Sequence, residues 1–333
     1  MIGEHPDVST EKVAAVVSRA WGVDASVVRH AETESGSWHW SVGDEGGPVW
    51  FVCMDQVWTV EQHDARVASY RCAAQLSQRL DYVVAPVQTR DGRVAVDLAP
   101  GLLLTLTPFL DGQAFGTGPF VDDAQRADVS AMLGDLHRQP RQRDVPLWRP
   151  RIGQQSVARR EDLERVLGQS RWTGGPWSVP TGRLLVEGQD VLRTAIRRFA
   201  LLAAAVMGSM ERWGLTHGGV RGENVIRTPD GPRLVDWGAL LVAPRERDVC
   251  GVLGLAEGDD PWYAYLAAGG RPDPLSSDTC ELFALEQVLS EVAEPAVLFA
   301  STHNDSADER RRFGDLEQAL ERLHEGWGPA PTT

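Results

Sequence analysis

The chain has 333 residues, 42% hydrophobic and 24% charged, which allows a sizeable core and excludes a disordered polymer. Against 33 basic residues stand 47 acidic ones, and the net charge of −14 speaks against nucleic acid or an anionic membrane as partner. The longest apolar run, residues 199–207, is too short to span a bilayer, and residues 1–10 hold no basic or apolar leader, so a cytoplasmic protein is expected.

Ser9, Thr10 and Glu11 open an amphipathic helix whose apolar positions Val13, Val16, Val17 and Ala20 follow helical spacing. Segments of β type then dominate, at 37–42, 49–54, 82–87, 94–98 and 102–109, interrupted by one helical stretch at 61–79. Gly46-Gly47 and Asp91-Gly92 are placed as hairpin turns between two pairs of these strands. After Gly112 the pattern becomes helical, over 123–138, 159–167 and 188–213, while 172–182, rich in Gly, Pro and Trp, reads as a surface loop. Two short strands around Val225 and Leu234 flank a turn at Pro229, Asp230 and Gly231, helices follow from 261 to 323, and 326–333 reads as a frayed tail. The fold class expected is α+β, with a β-rich lobe over 1–107 and a larger, mainly helical lobe over 108–333. Cys53, Cys72, Cys250 and Cys280 are scattered without metal-site spacing and are expected as free thiols.

The chemistry concentrates in one stretch, Leu215-Thr216-His217-Gly218-Gly219-Val220-Arg221-Gly222-Glu223-Asn224, followed by Leu234-Val235-Asp236-Trp237-Gly238. Phosphoryl transfer needs metal ligands across the phosphates, cations on the transferred group and a residue that orients the acceptor hydroxyl. Asn224 and Asp236, separated by a short hairpin, offer the carbonyl and carboxylate oxygens that Mg²⁺ prefers. His217 suits a bracing role in the loop backbone rather than proton transfer.

This segment resembles the catalytic loop of the aminoglycoside phosphotransferase family within the kinase-like superfamily, which reads His-Gly-Asp-x-x-x-x-Asn. Trp50-Phe51-Val52-Cys53-Met54-Asp55, Val83-Val84-Ala85-Pro86-Val87 and Pro108-Phe109-Leu110-Asp111-Gly112 resemble the front lobe and hinge of its spectinomycin-phosphotransferase-like branch. Trp172-Thr173-Gly174-Gly175-Pro176 and Ala243-Pro244-Arg245-Glu246-Arg247-Asp248 extend the likeness over most of the chain. The resemblance implies a bilobal kinase-like fold that uses ATP or GTP with Mg²⁺, held by Asn224 and Asp236. The nucleotide base would lie against Thr107 and Phe109, and phosphates near Ser35, Gly36 and Ser37. The acceptor would lie among acids such as Asp259, Asp260 and Asp278, each of which reads equally as a helix cap.

Three departures qualify the resemblance. Gly219 stands where the family has its catalytic Asp. Glu223 is one candidate to replace it and a solvent-facing loop residue is the other reading; Arg221 either clamps the transferred phosphoryl group or pairs with Glu223. The third strand, 51–55, carries no cation where kinases place Lys, and the one lysine, Lys12, lies in the first helix. Arg66 or Arg71 from the following helix can reach in instead. Gly238 replaces a second carboxylate of the family's Asp-x-Asp. Three functions stand open: a divergent O-phosphotransferase acting on a small molecule, a pseudokinase partner of another protein, and a kinase-like component acting on Ser/Thr of a peptide, which only Arg221 favours.

Overall fold

The computed structural model describes residues 7–32, 37–116, 120, 122–152, 160–169, 171–253 and 258–327. In chain order its elements are α1 (Thr10–Trp21), β1 (Val27–Ala31), β2 (Trp38–Asp44), β3 (Gly47–Gln56), α2 (Val60–Leu76), β4 (Val96–Ala99), β5 (Leu102–Pro108), β6 (Gln113–Ala114) and α3 (Asp123–His137). Then come α4 (Arg160–Leu167), α5 (Ser178–Glu187), α6 (Gln189–Val206), β7 (Gly214–Thr216), β8 (Val225–Thr228), β9 (Gly231–Leu234) and β10 (Leu241–Ala243). The helices α7 (Glu246–Leu253), α8 (Asp260–Ala267), α9 (Ser277–Ala300) and α10 (Ala307–Trp327) complete the chain. Two compact units result, Met1–Trp148 with Glu211–Leu275, and Arg149–Met210 with Ser276–Thr333.

The first unit is built on a five-stranded antiparallel sheet in the order β1-β2-β3-β5-β4. Helix α1 starts where the Ser9 hydroxyl accepts the Lys12 N–H and stops at Gly22, whose φ of 72° is the left-handed conformation a helix C-cap favours. Its buried face, Val13, Val16, Val17 and Trp21, joins Trp38, Trp40, Val42, Val52 and Met54 and the alternate β5 residues Leu102, Leu104 and Leu106. Leu103 points the other way, into a cluster with Val57, Val94, Ala95 and Tyr70 of α2. The sheet is thus covered on both faces, which is why β5 reads as an unbroken apolar run rather than an alternation.

Two expectations for this sheet fail. β1 was not expected: its half-buried residues show no alternation. Residues 82–87 form no strand. Pro86 has no N–H to give a ladder, and the segment is held instead by single bonds, Val84 N–H to Leu234 O (3.0 Å), Leu234 N–H to Tyr82 O (2.7 Å) and Val87 N–H to Leu106 O (2.8 Å). The turn at Asp91-Gly92 exists, but it closes on Thr89 and Arg93 rather than between two strands. Downstream, α3 crosses α8 closely because Gly134 leaves room for the Tyr265 carbonyl, which an added Cβ would meet at 2.3 Å.

In the second unit α6 buries Val191, Leu192, Ala195, Ile196, Phe199, Leu202 and Ala203. It packs with the long α9 and with α10, which buries Leu316, Leu320 and Leu323. The stretch 172–182 is not a surface loop: Ser178 begins α5, and Pro180 fits the first turn, where no N–H partner is lost. Gly182 makes space for the Trp172 ring, Trp177 lies on Phe313 (4.7 Å), and the Trp177 N–H donates to His303 (3.0 Å). The tryptophans are therefore packing residues. Helix α6 ends at Val206 rather than Trp213, with the helix-breaking Gly208 just beyond. Cys53 and Cys72 are free thiols as expected, whereas Cys250 and Cys280 are in the disulfide state. No helix among the described residues is long and apolar enough to cross a membrane. The tail beyond Trp327 lies outside the described residues.

Burial of His39 in β2, stacked on Phe51 at 5.1 Å, pushes its imidazole from the ordinary 6.5 down to about 4. A folded value below the unfolded one stabilises the protein fully above pH 6.5, and this is lost as pH falls toward 4. The gap is worth about 3 kcal/mol. Urea unfolding followed from pH 7 to pH 4 should show that loss, and His39→Phe should shrink it. An equally steep acid limb in the variant would remove His39 as its cause.

Candidate active site

The loop 217–224 enters from β7 and is braced by a buried carboxylate on α7. Asp248 accepts the His217 N–H (2.8 Å) and the Gly218 N–H (2.7 Å), and also bonds His137 (3.0 Å), whose other nitrogen meets the Tyr265 hydroxyl (3.1 Å). Burial alone would raise the Asp248 carboxyl. The hydrogen bond and charge of His137, with Arg247 and His217, more than offset it and hold the group below the usual carboxylate range. Gly218 sits at φ 80°, and a Cβ there would strike the Arg247 guanidinium.

His217 is fully buried, and burial lowers its pKa despite the Asp248 and Asp236 charges. Its neutral ring donates from Nε2 to the Val235 carbonyl (2.9 Å) and accepts the Gly219 N–H at Nδ1 (3.2 Å). With both nitrogens occupied and its edge on Trp237 (4.7 Å), His217 braces the loop.

Asn224 and Asp236 are brought together by backbone. The Val235 N–H donates to the Asn224 carbonyl (3.0 Å), while β8 and β9 pair from Val225↔Leu234 onward. The Asn224 side-chain Nδ2 donates to the Gly219 carbonyl (2.7 Å), which leaves Oδ1 as its free acceptor. Asp236 is the one non-glycine residue among those described with positive φ, 62°. It is exposed, and its carboxylate has no hydrogen-bond or ion-pair partner among the described residues. Backbone strain of this kind gathers at functional sites. Among the described residues no group of three or more His, Cys, Asp or Glu can hold a metal. The amide oxygen of Asn224 and the carboxylate of Asp236 are nonetheless of the donor type Mg²⁺ takes, since it commonly uses one or two protein ligands and completes its shell with phosphates and water.

The other expected site residues are distributed as follows. Thr107 and Phe109 lie at the end of β5; Thr107 Oγ1 donates to the Phe51 carbonyl (3.3 Å) and the Phe109 ring is 37% exposed. Ser37 donates to Asp55 (2.8 Å), and Ser35 and Gly36 lie outside the described residues. Arg221 and Glu223 are exposed and pair with each other at 3.7 Å. Asp259 caps α8, accepting the Trp262 N–H (2.9 Å), and pairs with Arg126 (3.2 Å). Asp260 opens the same helix, and Asp278 pairs with Arg198 (3.3 Å) in the first turn of α9. Asp248 and Asp55 were missed as site residues; Asp248 stands 31 residues from His217, with no motif to join them.

This arrangement has counterparts. The spectinomycin phosphotransferase APH(9)-Ia, solved with ADP and spectinomycin, superposes with a TM-score of 0.67 over 95% of this chain and 98% of its own, at 11% identity. The chain has the kinase-like fold of the aminoglycoside phosphotransferases. The same phosphotransferase fold is shared by amicoumacin kinase hAmiN, solved with AMP-PNP, Ca²⁺ and Ami, with a TM-score of 0.56, 13% identity, and 98% and 96% of the two chains covered. In sequence, protein StrN of Streptomyces griseus is 27% identical over 250 residues, 72% of each chain. No protein-family model matches.

Proposed function

We propose that the chain is a nucleotide-dependent O-phosphotransferase that acts on a hydroxyl of a small molecule, with ATP or GTP and Mg²⁺, and lacks the usual catalytic carboxylate. The observation that carries this reading is the pairing of Asn224 and Asp236, two oxygen-bearing side chains on backbone joined by the Val235 N–H to Asn224 carbonyl bond, with no partner among the described residues on Asn224 Oδ1 or the Asp236 carboxylate. The similar structures solved with ADP, or with AMP-PNP and Ca²⁺, support it. A divalent ion at these oxygens would neutralise charge on the nucleotide phosphates.

The chain's own residues do the positioning. The bond from Nδ2 to the Gly219 carbonyl fixes the Asn224 amide and leaves Oδ1 as its acceptor, and Asp236, in left-handed backbone, offers an exposed carboxylate. Thr107 and Phe109 would flank the base. In the transfer, the acceptor oxygen bonds to the terminal phosphorus, the bond to the bridging oxygen breaks, and the acceptor proton leaves to solvent. Because that transition state is loose, proton loss is late, and Gly219 slows the step without forbidding it.

A nucleotide-binding module that serves another protein is the second reading, favoured by Gly219 itself. Arg221, the residue that favoured a peptide acceptor, pairs with Glu223 at the surface. Thermal-shift titration separates these readings, since a ligand that prefers the native state raises Tm. Asn224→Ala and Asp236→Ala should each weaken Mg²⁺-dependent ATP binding by roughly tenfold or more. No shift with millimolar nucleotide defeats both readings. A shift without turnover on any hydroxyl acceptor leaves the binding module.

A further inference from the structure

The third strand lacks the lysine that a phosphotransferase needs against the nucleotide phosphates, and the fold places another cation beside the same spot. Arg66 of α2 has a side chain only 17% exposed, with Nε 4.0 Å from the carboxylate of Asp55 on β3. Its guanidinium lies over Gly238, where an added Cβ would sit 2.0 Å from Nη1. Gly238 follows Asp236 by two residues, so the cation stands next to the proposed metal ligand without an ion pair to it among the described residues. Arg71, the other candidate, is exposed.

Asp55 pairs with this cation but takes no hydrogen bond from it. Its oxygens already accept the Ser37 hydroxyl (2.8 Å), the Tyr70 hydroxyl and the more distant Cys53 thiol (3.8 Å). Arg66 itself makes no hydrogen bond among the described residues. Five N–H donors, largely removed from water and with no hydrogen-bond acceptor among the described residues, are a costly arrangement unless an anion completes it. Building on the phosphotransferase reading above, we infer that Arg66 is the nucleotide-phosphate cation of this protein, held by Asp55 in a charge-inverted version of the usual strand-lysine to helix-glutamate pair. Gly238 is then no incidental loss. A carboxylate-bearing side chain there would occupy the place of the guanidinium, so the small residue and the arginine come as a set.

The test is binding of ATP, ADP and adenosine, each without metal, to the full chain and to Arg66→Met and Arg66→Lys. Loss of a charge-assisted contact predicts that Arg66→Met weakens ATP and ADP by roughly ten- to hundredfold while adenosine binding is unchanged. Arg66→Lys, which keeps the charge but not the fork, should lose less, and it carries the test should Arg66→Met fail to fold. If the wild type binds nucleotide and the variants lose ATP and adenosine equally, or lose neither, Arg66 is only a structural partner of Asp55. A wild type that binds no nucleotide overturns the phosphotransferase reading, and the role of Arg66 with it.

Discussion

Gly219→Asp should raise phosphoryl transfer by about a hundredfold or more while the protein melts within a few degrees of wild type. Gly219 is not among the glycines with positive φ, so its backbone is one that a side chain adopts. A Cβ built there meets Asn224 Nδ2 at 3.4 Å and the His217 ring at 3.7 Å, ordinary contact distances. The loop has kept the room for the acid it lacks. Its neighbour differs: Gly218 at φ 80° faces the Arg247 guanidinium, and Gly218→Asp should disrupt the loop. Steady-state turnover of ATP with a hydroxyl acceptor, beside a melting curve, decides the matter. A gain with Asp and not with Asn ties the effect to proton acceptance. Unchanged turnover in a folded Gly219→Asp would show that acceptor placement, not the missing base, limits the rate.

The residues that were legible from sequence are those whose roles depend on near neighbours. His217, Gly219, Asn224 and Asp236 sit in one short segment and a hairpin, and the turn at Gly231 (φ 103°) is announced by its own residue types. The Ser9 cap of α1 and the hairpin at Gly46-Gly47 were likewise written locally. What stayed hidden depends on distant parts of the chain. Asp248 closed a segment that resembled the family, but its role showed only when the fold set it under two loop N–H groups. The strand at 82–87 failed for a similar reason, because its partners are a bond here and a bond there rather than a neighbouring strand. The Trp-rich stretch misled through composition: Gly and Pro mark turns on average, but here Gly182 admits a ring and Pro180 starts a helix.

Of the three departures from the family pattern, the fold joins two. The cation missing from β3 and the carboxylate missing at Gly238 meet at Arg66, which fills the space one left and supplies the charge the other lacked. Gly219 stands apart: the side chains nearest its Cβ position are those of Asn224 and His217. On the phosphotransferase reading, the nucleotide end of the site keeps its groups, and the acceptor end has lost one, at Gly219.

Asp248 supplies the second large effect. Its two oxygens accept three hydrogen bonds, from the His217 and Gly218 backbone and from His137, in a site 3% exposed. Asp248→Asn turns an NH₂ group toward at least one of these donors, and breaking one partner of such a buried pair costs about 3–5 kcal/mol. For a protein of this kind the melting temperature should fall by on the order of 10 °C. Mg²⁺-dependent nucleotide binding should fall with it, because His217 then no longer sets the loop that carries Asn224. Since the folded carboxyl lies below its ordinary value of 3.8, its stabilisation is complete above that pH and is lost as pH falls through the depressed value. The wild type should thus lose stability as pH falls from 6.5 toward 4, from His39, with the lowered His217 acting in the same direction, and lose more below pH 3.8 as Asp248 protonates. Melting curves at pH 7 for Asp248→Asn and wild type that coincide would mean that the loop stands without its brace.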